Sequence, residues 1–310
     1  QSGVATTRDN VLVTPGGQAA LFAAHMASCG PGDTALFIDP YYVTYPGTIR
    51  AAGARPHPIS TRAEAGFLPD AAELDRAAAT TQARALLINT PNNPTGAVYP
   101  PDTLRAIAKV ARARDLWLIS DEVYDTLIWE GAHLSPRALP GMAERTIVCG
   151  SMSKSHAMTG SRIGWIIAPT PVIAALTDLA TNTTYGVPGY IQDAAHYALS
   201  AGPKLEAQVA APFRRRRALA LNILAQQDTL TAIPSDGAMY LFLDIRATGL
   251  SGDAFAMALL RETHIAVMPG ESFGASAAGF IRIARTAPTG PGGLIHGHAN
   301  FLHPQPWPRD

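Results

Sequence analysis

Thr146-Ile-Val-Cys-Gly-Ser-Met-Ser-Lys154 sets a short apolar run directly before a serine-flanked lysine. The run reads as a strand over 147–150, which places Lys154 just past the strand's carboxyl end, the edge at which open parallel sheets bind ligands. Similar runs rich in Val, Ile and Leu recur at 11–13, 36–38, 86–89 and 117–120. Ala-rich segments of helical period separate them, with helices expected over 18–27, 43–52, 101–114 and 191–199. Strands alternating with crossover helices predict an α/β fold, a mostly parallel sheet with helices on both faces.

From residue 203 to about 226 the sequence reads as one long helix, after which the pattern changes to strand, helix, strand, strand. The change predicts a large domain over 1–225 and a smaller α+β domain over 226–310, irregular from about 286. The run Arg214 to Arg217 on the long helix reads as a solvated face or a dimer contact, because the chain as a whole is neutral, with 24 Lys plus Arg against 24 Asp plus Glu. That balance argues against nucleic acid, an anionic membrane surface or an acidic partner. With 310 residues, 47% of them hydrophobic, the chain is long enough to bury a large core. Cys29 and Cys149 lack metal-ligand spacing and are too few for a disulfide framework, so they read as small buried hydrophobes in a reducing cytoplasm. No stretch approaches the ~20 apolar residues of a membrane span, and the opening Gln-Ser-Gly reads as a shortened start. His296, His298 and His303 lie in a Gly- and Pro-rich tail without carboxylate or Cys partners, so no metal site is expected there.

Four clusters carry chemistry. Ser151 and Ser153 flank the approach to Lys154, and Arg162 follows in Thr-Gly-Ser-Arg-Ile-Gly, so phosphate donors stand beside an amine nucleophile. Asn89-Thr-Pro-Asn-Asn-Pro-Thr-Gly96 follows a strand and, alone, is a turn cluster. Ser120-Asp-Glu-Val-Tyr124 places two acids at a strand end, where they could hold a metal or cap a helix. Thr14-Pro-Gly-Gly-Gln-Ala19 opens a helix with glycines and free amides, a seat for a single phosphate group rather than a pyrophosphate. Asp121, Asn93 and Lys154 would all project from carboxyl ends of strands and so converge.

Together these clusters resemble the fold type I, class I/II aminotransferases, also called the aspartate aminotransferase family. Ser151 to Gly164, SMSKSHAMTGSRIG, is similar to that family's lysine signature, and NPTG, DEVY and FIRIA segments follow the family's order at 93–96, 121–124 and 280–284. The resemblance covers roughly residues 10 to 287. It implies a seven-stranded-type sheet in the large domain, pyridoxal phosphate as cofactor, a homodimer with shared active sites, and transfer of an amino group between an amino acid and a 2-oxo acid. A lyase acting at Cβ, or a shortened cofactor-binding protein without turnover, are the alternatives.

The resemblance implies roles for individual residues. Lys154 holds the cofactor as a Schiff base and then moves a proton at the substrate α-carbon. Asp121 pairs with the pyridine nitrogen, while Asn93 and Tyr124 bond the ring's phenolic oxygen. Gly17, Gln18, Ser151 and Arg162 hold the phosphate, with Ser153 a weaker candidate, and Tyr42 stacks on the ring. Arg282 clamps the substrate carboxylate with its planar fork, in preference to the nearby Arg285. Pro269-Gly-Glu-Ser-Phe-Gly274 and Gly237-Ala-Met-Tyr240 read as packing and gating elements, with Phe273 shaping the side-chain pocket. Some dicarboxylate-selective relatives carry lysine at the position of Gln18, and residues 181–190 contain no arginine, which favours a neutral amino acid as donor.

Overall fold

The computed structural model describes residues 3–285. The histidines of the tail, His296, His298 and His303, lie outside the described residues.

The first half of the chain alternates strands and helices as expected: β1 (Val11–Thr14), α1 (Gly17–Ser28), β2 (Thr34–Asp39), α2 (Tyr45–Ala51), β3 (Arg55–Ser60), α3 (Ala71–Thr81), β4 (Ala85–Asn89), α4 (Pro101–Ala113) and β5 (Trp117–Asp121). There follow β6 (Thr146–Ser151), the one-turn helix α5 (Met152–Ser155), β7 (Gly164–Ile167), α6 (Thr170–Thr181), α7 (Gly189–Ser200) and α8 (Pro203–Leu224). The chain then forms β8 (Thr231–Ala232), β9 (Tyr240–Asp244), α9 (Gly252–Thr263), β10 (Met268–Pro269) and β11 (Phe280–Ala284).

The first seven strands make one sheet in the order β1-β7-β6-β5-β4-β2-β3. Only β7 runs against its neighbours; the pairs from β6 through β5, β4 and β2 to β3 are parallel. Alternate residues of each strand face opposite layers. Phe37, Leu87 and Ile119 pack with Ala20, Ala24 and Leu176 of α1 and α6, whereas Leu36, Leu86 and Leu118 pack with Leu74, Leu104 and Ile107 of α3 and α4. Both faces are therefore covered, and the strands read as continuous apolar runs instead of alternating ones. Cys29 and Cys149 are both free and buried in the first layer, as expected.

A second, antiparallel sheet has the order β10-β11-β9-β8. Its core draws Leu241, Leu243, Ile281 and Ile283 together with Phe255 and Leu259 of α9, and Ala220 and Leu224 from the end of α8. The expected strand, helix, strand, strand is thus corrected to two strands, a helix and two strands; β8, of two residues, is too short to leave a periodic signal. β3 was also hidden, because Arg-Pro-His-Pro-Ile-Ser carries two prolines. Both are tolerated because β3 is the sheet's edge.

The arginine run of α8 is not simply a solvated face. Arg214 donates to the carbonyls of Trp129 and Ile128, Arg216 to that of Arg285, and Arg217 to that of Ser235. Ile128 and Trp129 lie in the connection from β5 to β6, Ser235 in that from β8 to β9 and Arg285 just past β11, and the long guanidinium side chains reach these carbonyls from the helix. No helix among the described residues is long and apolar enough to cross a membrane.

Gly164 joins this framework to the cleft below. It pairs with Thr14 on one side and Ser151 on the other, and a Cβ there would lie 2.6 Å from the Gly150 carbonyl oxygen and 2.8 Å from the Gly16 carbonyl carbon. Gly164→Ala should therefore cost about 1–3 kcal/mol of stability, read as a lowered urea midpoint at unchanged slope.

Candidate active site

Four strand ends and one helix start build a single cleft. β1 ends at Thr14 and α1 begins at Gly17; β4 ends at Asn89, β5 at Asp121 and β6 at Ser151. Gly17, Gln18, Tyr42, Asn93, Asp121, Tyr124, Ser151, Lys154 and Arg162 all line it. Every residue that the sequence assigned to the cofactor is thus brought together. Tyr45, Asn89, Ser153, Thr159 and Tyr240 line it too.

One corner is shaped for an anion. Gly16 has φ +84° and a Cβ there would collide with the Arg162 guanidinium; on Gly17 a Cβ would stand 3.2 Å from Val123 Cγ1 and 3.4 Å from Ser151 Cβ. Glycine at both positions lets the start of α1, with its free amides, come close to Ser151 and Arg162. Ser151 caps α5 by accepting from the Ser153 amide at 3.1 Å. Arg162, itself at φ +51°, donates through Nη1 to the Thr159 carbonyl at 2.8 Å, which fixes its fork at the corner. Gln18 is less free: Thr44 Oγ1 donates to its Oε1 at 3.0 Å and its Nε2 donates to Thr48 Oγ1 at 3.1 Å.

Asp121 sits at the opposite end, 3% exposed. Its Oδ2 accepts from the Tyr45 hydroxyl at 2.7 Å and its Oδ1 from the Val123 amide at 3.3 Å. Burial nevertheless pushes the carboxyl up to about 6, against the lowering effect of both hydrogen bonds. Asn89 braces the strand end by donating to the Asp121 carbonyl at 3.0 Å and accepting from the Asn93 amide at 2.8 Å. The second acid of the cluster turns away. Glu122 accepts from Ser120 and Ser135 at 2.9 and 2.7 Å and lies 3.0 Å from His133 Nε2. The two carboxylates therefore share neither a metal nor a helix cap; one faces the cleft and the other anchors the chain behind it.

Lys154 lines the same cleft. Burial first, then Arg282 and Arg162, lowers its ammonium below the usual lysine range, which raises the fraction of nucleophilic amine. Arg282 reaches the cleft from β11 by donating Nη1 to Asn93 Oδ1 at 2.8 Å, and its buried Nε has no partner. Phe273 packs against Arg282, its ring centre 4.6 Å from the guanidinium carbon, so it stands behind the arginine and not along the cleft wall. Arg285 is 2% exposed and donates to the Phe213 and Ala238 carbonyls, away from the cleft.

Residues 1–290 match the family described as aminotransferase class I and II. The chain belongs to that family. It is 46% identical over 284 residues to an arginine–pyruvate transaminase of Pseudomonas aeruginosa, a match covering 91% of this chain and 72% of that protein. It is 38% identical over 287 residues to a probable aspartate/prephenate aminotransferase of Thermus aquaticus, covering 92% and 73%. Among solved structures, Thermus thermophilus aspartate aminotransferase with maleate superposes with a TM-score of 0.89 at 34% identity, over 97% of this chain and 78% of that one.

The aminotransferase family fixes the cofactor as pyridoxal phosphate and the activity as amino-group transfer between an amino acid and a 2-oxo acid. These likenesses give no support to bond breaking at Cβ. The residues present fit the cofactor: glycine gaps and a fixed arginine for a phosphate, a buried carboxylate without a cation among its hydrogen-bond partners, and a lysine of lowered basicity.

Tyr45 left no signal in the sequence, whereas Asn89, first residue of the Asn-Thr-Pro-Asn-Asn-Pro cluster, reads there only as part of a turn and Tyr240, in Gly237-Ala-Met-Tyr240, only as packing and gating.

The raised Asp121 has a measurable consequence for the cofactor-free protein. Its folded value, about 6, exceeds the unfolded value of about 3.9, so its stabilisation is complete below pH ~4 and is lost as pH rises through about 6. Asp125, also pushed up to about 6 by burial, acts in the same direction. Urea unfolding across this range should show Asp121→Asn flattening the decline by about 3 kcal/mol.

Proposed function

We propose that the nine cleft residues, with Arg282 and Phe273, divide the work of transamination as follows, with the arrangement of Lys154, Asp121 and Arg282 around one cleft as the observation that carries the assignment. Pyridoxal phosphate, when bound, supplies an electron sink that makes the proton on the substrate α-carbon removable. Lys154 anchors the cofactor covalently and afterwards moves that proton, since a single amine serves as nucleophile and base. Asp121 pairs with the ring nitrogen and keeps it protonated. Asn93 and Tyr124 bond the ring's phenolic oxygen, and Tyr42 covers the ring. Gly17, Gln18, Ser151 and Arg162 hold the phosphate, Gln18 through its backbone because its side chain is engaged by Thr44 and Thr48. Arg282 receives the substrate α-carboxylate on the part of its fork that Asn93 leaves free, and Phe273 keeps the guanidinium in place.

The donor we assign is an amino acid without a second carboxylate. The cations lining the cleft, Lys154 and Arg162, are both assigned to the cofactor, and Arg282 to the α-carboxylate. The arginine–pyruvate transaminase relative makes arginine the first donor and pyruvate the first acceptor to try. We further assign a cofactor-holding domain to 1–225 and a smaller domain to 226–310, supported by the two sheets. A cytoplasmic homodimer with shared active sites completes the proposal. It is supported by the exposed Phe22, Met26 and Val43 beside the cleft, and by Tyr185, Tyr190 and Tyr197.

Borohydride reduction of the cofactor-loaded protein should fix the label on Lys154, as read by peptide mapping; a label elsewhere rejects the assignment. A donor panel with pyruvate should favour arginine and neutral amino acids over aspartate and glutamate. Arg282→Met should raise KM for the donor about ten- to hundredfold, the worth of one or two charge-assisted hydrogen bonds.

A further inference from the structure

We propose that Tyr240 is a positioning residue serving both halves of the site: its hydroxyl holds Tyr124 and its ring holds Arg282. The inference rests on the roles assigned above to those two residues and extends them to a third, which opens β9 of the second sheet.

The hydroxyl carries the first part. Tyr240 is 7% exposed, and its oxygen lies 2.8 Å from that of Tyr124, with the rings edge to face at 5.8 Å. A tyrosine kept only for packing has no need of that oxygen. Each hydroxyl has one proton to donate. When Tyr124 gives its proton to the cofactor's phenolic oxygen, Tyr240 is left to donate to Tyr124. The result is a directed chain, Tyr240 to Tyr124 to cofactor, in which each hydrogen bond polarises the next. Burial raises both phenols above the ordinary tyrosine range, so both keep their protons.

The ring carries the second part. In the β9–β11 register Arg282 is opposite Phe242, so Tyr240, two residues along β9, is its diagonal neighbour on the same face. The Arg282 guanidinium carbon stands 4.4 Å from the Tyr240 ring centre and 4.6 Å from that of Phe273. Aromatic rings on two sides and the bond to Asn93 leave the guanidinium one orientation, with Nε unpartnered. Tyr240 thereby links the group that binds the donor's carboxylate to the group that tunes the cofactor, across two separate sheets.

The two contacts are separable by substitution. Tyr240→Phe keeps the ring and removes the hydroxyl. Tyr124's donation to the phenolic oxygen competes with the proton on the linked Lys154 nitrogen, so weakening it makes that nitrogen hold its proton to higher pH. In the full, cofactor-loaded chain, the pH midpoint of the visible absorbance should rise by about half a unit in Tyr240→Phe, less than a whole hydrogen bond is worth. KM for the donor should stay within about twofold, because the stack on Arg282 survives. The same change in a Tyr124→Phe background should have no further effect on the midpoint, since the hydroxyl acts through Tyr124. Tyr240→Leu should add a rise in KM of about tenfold, the worth of one desolvated cation–π contact.

A midpoint unchanged in Tyr240→Phe, or an equal shift without the Tyr124 hydroxyl, overturns the hydroxyl's role; an unchanged KM in a folded Tyr240→Leu overturns the ring's. Should the leucine variant not fold, Tyr240→Trp, which retains an aromatic face, must keep KM near wild type or the ring's role fails. If the wild-type absorbance does not titrate, or borohydride labels a residue other than Lys154, the cofactor assignment fails first and Tyr240 with it.

Discussion

A carboxylate held inside the protein without a cation bonded to it is the constraint around which the rest is arranged. Asp121 ends β5, the middle strand of a sheet covered on both faces, and its hydrogen bonds come from a phenol and an amide. Those donors satisfy lone pairs but do not neutralise the charge, which is costly to bury unpaired. Under the proposed assignment the missing positive charge is that of the cofactor's ring nitrogen. The electrostatic cost of burying that carboxylate then becomes attraction for the cofactor, and the same pairing keeps the ring electron-poor.

The strand end must stay rigid for this to work, and three residues see to it. Asn89 ties β4 to the carbonyl of Asp121, Tyr45 ties it to α2, and Glu122 gathers Ser120, Ser135 and His133 on the far side. The acid pair that looks redundant in the sequence therefore has two unrelated jobs. One residue meets the ligand and its neighbour holds the backbone still.

Lys154, Asp121 and Asn93 were legible because each stands at or just past a strand end, where a local pattern of apolar run followed by polar residues marks the position. Tyr45, Asn89 and Tyr240 act through partners distant in sequence: 76 residues separate Tyr45 from Asp121, and 116 separate Tyr240 from Tyr124. No local pattern reports such a pairing. The fold shows the same division. The buried strands declared themselves, whereas β3 was masked by prolines that only an edge tolerates, and the arginines of α8 had no visible targets until the fold brought carbonyls of other segments within their reach. Those guanidiniums, with Arg285 over Trp129, tie α8 to the connection after β5, to that between β8 and β9, and to the end of β11.

The tethering of Gln18 bears on how such a cleft changes over generations. Its amide is held at both ends by Thr44 and Thr48, so the residue, the cap of α2 and the first turn of that helix form one interlocked unit. Exchanging Gln18 alone for a charged side chain removes the acceptor of the Thr44 hydroxyl and one partner of the Thr48 hydroxyl, which keeps its bond to the Thr44 carbonyl, and exchanging a threonine alone frees half of an amide. Passage between specificities along this wall is therefore a coordinated route, in which neighbours on α2 change before or together with Gln18, while Lys154, Asp121 and Arg282 stay untouched.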